Sequence, residues 1–133
     1  MFPAPDSIGE LGLVSHIASV LRHWEPFPIC MKGFQRSWDE YLFLLLNQGE
    51  ADVIRLHDEI YTGLLSKYRD EVRPFIPHVT LGVFSGKNEE YSHALKEAEQ
   101  LKLDYECMLD RLHLIKINDE RSQIVWSEEF LFK

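Results

Sequence analysis

Cysteine is scarce: only Cys30 and Cys107 occur in 133 residues, too far apart for a Cys-x-x-Cys pair. Neither a disulfide framework nor a cysteine knuckle fits that count. The two read as free thiols of a reducing compartment, the cytoplasm. No HExxH, no Cys/His set and no paired aspartates occur, so no metal site is expected. Long apolar runs are also lacking. Leu42 to Leu46 is far too short to cross a bilayer, so no membrane span is expected. Met1 to Pro5 has no basic residue and no apolar stretch behind it, which speaks against a secretory leader. Positive charge is in deficit, with 14 Lys and Arg against 22 Asp and Glu and a net charge of -8. Such a chain does not coat nucleic acid by its overall field, although a small phosphate site is compatible with it. No glycine-rich phosphate loop and no Gly-x-Ser-x-Gly elbow are present.

What is present points to one folded domain over residues 1–133. Hydrophobic residues make up 45% and charged residues 27%, enough for a core and a solvated surface. Ser7 and Glu10 have capping-box spacing. Behind them Ile8, Leu11, Val14, Ile17, Leu21 and Trp24 recur at helical spacing, and the prolines at 26 and 28 stop the helix. Strands are expected over about 27–34 and 40–46, then a helix over about 50–68 with Val53, Leu56, Ile60, Leu64 and Tyr68 on one face. A short strand is expected next, at 78–84. After it come a helix at 88–101 with Tyr91, Ala94, Leu95, Ala98 and Leu101 inward, and a long strand at 103–117. A turn at 119–122 leads to a last strand at 123–130.

The order suggests a repeat. The second half reads strand-helix-strand-strand, and the first half reads the same with its opening strand nearly absent. An offset of 82 pairs Phe84 with Phe2 and Asn88 with Asp6, each at the start of its helix. The expected halves are about 1–70 and 71–133, with the first strand truncated.

The tightest chemical signal is Pro77-His78-Val79-Thr80-Leu81-Gly82. On a strand His78 and Thr80 share a face, roughly 7 Å apart, while Val79 and Leu81 turn to the core. An imidazole can move a proton near neutral pH and a hydroxyl can bond a phosphate oxygen, so the pair can grip one phosphate from one wall. The plainer alternative is a strand histidine bonded to backbone.

The stretch Arg73 to Phe84 resembles the second signature of the 2H phosphoesterase superfamily, the proteins related to the 2′-5′ RNA ligases and cyclic phosphodiesterases. Phe2-Pro3, the helix, and Pro26 to Phe34 also look like the region after the first signature of that family. The resemblance implies an α+β, bilobed fold: two similar halves with antiparallel sheets around a central cleft, each giving one His-x-Thr. It implies His78 as general acid or base and Thr80 as phosphate holder, with no cofactor and no metal. It also implies a 2′,3′-cyclic phosphate or 2′-5′ phosphodiester of a nucleotide or RNA end as partner. This sequence has one His-x-Thr, and the offset of 82 puts the counterpart of His78 about four residues before Met1. With one imidazole the chain is expected to bind phosphate and turn over slowly. The readings left standing are an impaired phosphoesterase, a non-catalytic nucleotide- or partner-binding homologue, and a structural homologue whose open N-terminal strand edge is covered by a second copy in a homodimer.

The remaining candidates have plain readings beside the functional ones. His16 reads as an ordinary helix residue, and His23, His57 and His93 as helix residues without a second ligand. His113, in strand parity with Arg111 and Cys107, reads either as a cleft residue or as a solvated hairpin residue. Arg111, Lys116 and Arg121 offer positive potential or simply solubility. Phe34 and Trp38 could stack on a base or, for Phe34 above all, be buried.

Overall fold

A computed structural model describes residues 8–37, 40–84 and 88–133. The Ser7 cap, the opening strand with Phe2, the N-terminal strand edge and Trp38 lie outside the described residues. The fold is α+β, as expected. Two compact units form, one from residues 1–27, 57–70 and 109–133, the other from residues 28–56 and 71–108.

In the first unit, α1 (Glu10–Leu21) begins after Gly9 at its N-cap. Its buried stripe is Leu13, Ile17 and Leu21. Leu11, expected on that stripe, is exposed. It lies two residues from Leu13, about 200° round the helix, and so faces solvent. The helix packs against β6 (Ile124–Leu131), which pairs antiparallel with β5 (Arg111–Ile117). The hairpin turn is held by Asn118, whose Oδ1 accepts from the N–H groups of Ser122 (2.9 Å) and Gln123 (3.2 Å). Trp24, Phe27 and Phe132 pack ring to ring at 5.6 to 6.3 Å, and Trp24 Nε1–H donates to Glu59 Oε2 at 2.7 Å.

The expected helix over 50–68 divides. α2 (Glu50–Ile60) ends, and a 3₁₀ helix (Gly63–Tyr68) succeeds it. Gly63 stands at φ +52°, a left-handed backbone that stops an α-helix, and Thr62 Oγ1 donates back to the Glu59 carbonyl at 2.7 Å. The break rotates the face: Leu65 is fully buried and Leu64, expected inside, is partly exposed. Burying a leucine side chain is worth about 1.5–3 kcal/mol, so the break has a consequence for stability.

The second unit holds a four-stranded sheet in the order β3-β2-β1-β4, with β1 (Phe27–Arg36), β2 (Tyr41–Leu46), β3 (His78–Val83) and β4 (Asp104–Leu109). β2 runs antiparallel to both β1 and β3. The turn from β2 to α2 requires Gly49 at φ +83°, where a Cβ would come within 2.7 Å of the Ile29 side chain. α3 (Asn88–Leu101) lays Tyr91, Leu95 and Ala98 against Leu42, Phe34 and Phe84. Leu101, the helix's last residue, extends past this packing and is exposed.

The long strand expected over 103–117 is two strands in two different sheets, parted at Asp110. The Asp110 carboxylate takes both Nε and NH2 of Arg111, at 2.8 and 3.1 Å, and its carbonyl accepts from Phe132 N–H at 2.8 Å. A short acidic side chain that bonds its own neighbourhood competes with continuous strand pairing.

Candidate phosphate-binding face of the four-stranded sheet

Pro77 precedes β3, is buried, and its carbonyl accepts from Leu46 N–H at 3.2 Å, which fixes where the strand begins. From there the register is set: His78 opposite Leu45, Val79 opposite Leu44 and Thr80 opposite Phe43. His78 and Thr80 therefore share one face of β3, as the alternation predicts, and both are exposed. Val79 is on the opposite face with the buried Leu44, but β3 is an edge strand, and Val79 keeps 45% exposure. Leu81 does not turn into the core. The register slips between Phe43 and Leu42, leaving Leu81 unpaired in a bulge and 44% exposed. The bulge changes the parity of the strand, so that Gly82 pairs with Leu42 and Val83 with Tyr41.

Two contacts orient the His78 imidazole. Its Nδ1 lies in hydrogen-bond reach of the Ile76 carbonyl, which only accepts, so Nδ1 carries the proton. Nε2 is then the atom left to meet a ligand. Beneath the ring lies Phe43, with centroids 3.6 Å apart and planes 21° apart. Phe43 is only 9% exposed, so the base of this stack is fixed by the sheet. Across Phe43 from Thr80 stands Gln35 of β1, exposed on the same face. Tyr41 and Phe43 also stack, at 6.3 Å and 27°. Sequence reasoning singled out neither Phe43, Tyr41 nor Gln35. The signal available was the alternation of aromatic rings at 41 and 43 in a strand, but the bulge that pairs Tyr41 with Val83 leaves no trace in spacing.

The other candidates are otherwise engaged. Arg111 is held between Asp110 and Glu129, with NH1 to Glu129 Oε1 at 2.9 Å, and both carboxylates raise its pKa. Lys116 donates to Glu10 Oε1 at 2.8 Å, which pushes its pKa up. His113 Nε2 lies 3.5 Å from Glu129. His16 Nε2–H donates to the Ile60 carbonyl at 2.9 Å, His57 pairs with Asp58 at 3.0 Å, and His93 lies 3.6 Å from Glu97. Phe34 packs against the Leu42–Tyr91 core rather than standing free for a base. Arg121 sits at φ +54° in the hairpin turn.

One set of potential metal donors was not legible in the sequence. Cys30 Sγ and a carboxylate oxygen each of Asp104 and Glu106 lie within 4.8 Å of one another. Neighbouring strands bring them together across 74 residues, so no spacing announces them. The thiol donates to Asp104 Oδ1 at 3.1 Å, and this bond with burial pushes the Cys30 pKa up, away from the thiolate that metals take.

Among the described residues no helix is long and apolar enough to cross a membrane. No curated protein matches the chain. A family model described as the 2'-5' RNA ligase superfamily matches residues 1–121. That match takes in α1 through β5 and the whole His78–Thr80 face, and the chain belongs to the 2'-5' RNA ligase superfamily.

Proposed function

We propose that the exposed face of β3 binds the phosphate of a nucleotide or RNA end, either a 2′,3′-cyclic phosphate or a 2′-5′ phosphodiester. The observation that supports this reading is the placing of His78 and Thr80 on one exposed face, with Nδ1 committed to the Ile76 carbonyl, which leaves Nε2 as the ring nitrogen to meet a phosphate. The Thr80 hydroxyl donates to a non-bridging phosphate oxygen. A protonated Nε2 donates to another, or to the oxygen that leaves.

Opening a cyclic phosphate by water needs two proton transfers. One group takes a proton from the attacking water as the new P–O bond forms. Another gives a proton to the ribose oxygen as the old P–O bond breaks. A single imidazole serves one of these at a time, and each well-placed acid or base contributes roughly 10²- to 10⁴-fold. The 133 residues hold one His-x-Thr. Residues 1–133 alone therefore bind such a phosphate and hydrolyse it slowly.

The experiment is a calorimetric titration of adenosine 2′,3′-cyclic phosphate into the chain and into His78→Ala and Thr80→Val, with hydrolysis followed by ³¹P NMR. The expected result is weakened binding in both variants and slow turnover in the parent chain. Unchanged affinity in His78→Ala removes the site. Rapid hydrolysis by the parent chain removes the inference of impairment and leaves a full phosphoesterase.

A further inference from the structure

We infer that Tyr41, with Val83 beside it, is the platform on which the base of the bound nucleotide stacks. This rests on the reading of His78 and Thr80 as a phosphate grip. It adds that the face recognises a nucleoside phosphate rather than a phosphate alone.

The bulge at Leu81 is the origin of the platform. Without it, Val83 would fall on the face opposite His78; with it, Val83 pairs with Tyr41 and joins the His78 face. Val83 is 55% exposed, on the strand that ends the sheet among the described residues. Tyr41 is half-buried and its backbone is fixed at both polar atoms: its N–H donates to Ser37 Oγ at 3.1 Å and its carbonyl accepts from Ser37 N–H at 3.0 Å. Its ring stacks on Phe43 at 6.3 Å and 27°, and a ring held in advance loses little freedom when a base settles on it.

The spacing suits one nucleotide. Tyr41 is two residues from Phe43, which is the partner of Thr80. Two strand residues and one inter-strand step give a diagonal of roughly 8 Å. A ribose bridges about that gap between a phosphate at Thr80 and a base over Tyr41. Among the described residues, Phe43 carries the imidazole and Phe34 is packed into the α3 core, so neither offers a free ring face as Tyr41 does. Stacking on a phenol ring depends on the area of the base and little on its hydrogen-bonding edge, so purines are favoured over pyrimidines.

The test is an NMR and calorimetric titration of the full chain with two probes, adenosine 2′,3′-cyclic phosphate and inorganic phosphate. Tyr41→Leu is expected to weaken the adenosine ligand about tenfold or more and to leave inorganic phosphate unchanged. Tyr41→Phe, which keeps the ring, is expected to bind like the parent. Should Tyr41→Leu bind the adenosine ligand as tightly as the parent while His78→Ala loses it, the platform is wrong and the phosphate grip stands. Equal weakening of both probes by Tyr41→Leu means a merely structural role and overturns the inference. So does a parent chain that holds the adenosine ligand no more tightly than inorganic phosphate. If His78→Ala leaves both probes unaffected, the underlying phosphate reading has failed and the platform falls with it.

Discussion

Phe43 lies directly under His78, ring centroids 3.6 Å apart and planes 21° apart, so the imidazole is clamped between a buried ring and the Ile76 carbonyl that its Nδ1–H reaches. A histidine on an exposed edge strand would otherwise sample several rotamers. Phe43 is thus a positioning residue. Phe43→Leu is expected to weaken adenosine 2′,3′-cyclic phosphate about twofold to tenfold, the worth of an aromatic pair, and to broaden the His78 ring signals. Sharp ring signals and unchanged affinity in that variant would contradict the clamp.

The break between α2 and the 3₁₀ helix makes a stability prediction. Leu65 is fully buried and Leu64 beside it is partly exposed. Leu65→Ala is expected to cost about 2–5 kcal/mol in urea unfolding, and Leu64→Ala about 0.5 kcal/mol. Reversal of that order would restore a continuous helix over 50–68.

Cys30 donates its thiol proton to Asp104, and the carboxylate disfavours the thiolate, so both effects hold the thiol protonated. Only the thiolate reacts with maleimide. Cys30 is therefore expected to alkylate slowly at mildly alkaline pH, and Asp104→Ala to speed it by lowering the thiol pKa toward its ordinary value. Mass spectrometry with the half-buried Cys107 as internal reference reads the rate. A slower Cys30 in Asp104→Ala would refute this account of the bond.

Asp110 sits below the ordinary carboxylate range, chiefly because Arg111 bonds its ionised form. A group whose folded pKa is lowered stabilises the fold above its unfolded pKa, and that contribution is lost as pH falls through the folded value. Arg111→Gln is therefore expected to lower stability at neutral pH and to change it little in strong acid, with a small difference because the pair is exposed. Denaturant midpoints at the two pH values measure it. An equal loss at both would assign the effect to packing.

Much of the fold was legible because periodicity reports burial. The strands at 27–36, 41–46 and 78–83, the helix at 88–101 and the closing hairpin stand where alternation and turn residues place them. What failed has local causes that spacing does not carry. Gly63 turned one helix into two, and Asp110 turned one strand into two by bonding Arg111. The shared face of His78 and Thr80 was readable from a period of two. The clamp by Phe43, the bulge at Leu81 and the strand pairing that brings Cys30 to Asp104 were not, since each depends on cross-strand register.

The most direct test of the phosphate face is the ¹⁵N spectrum of the His78 imidazole as adenosine 2′,3′-cyclic phosphate is added. Nδ1 is predicted to stay protonated on the Ile76 carbonyl throughout, while the Nε2 resonance moves and saturates with the binding isotherm. An Nε2 resonance that stays still while ligand saturates the protein would place the phosphate elsewhere and contradict the account.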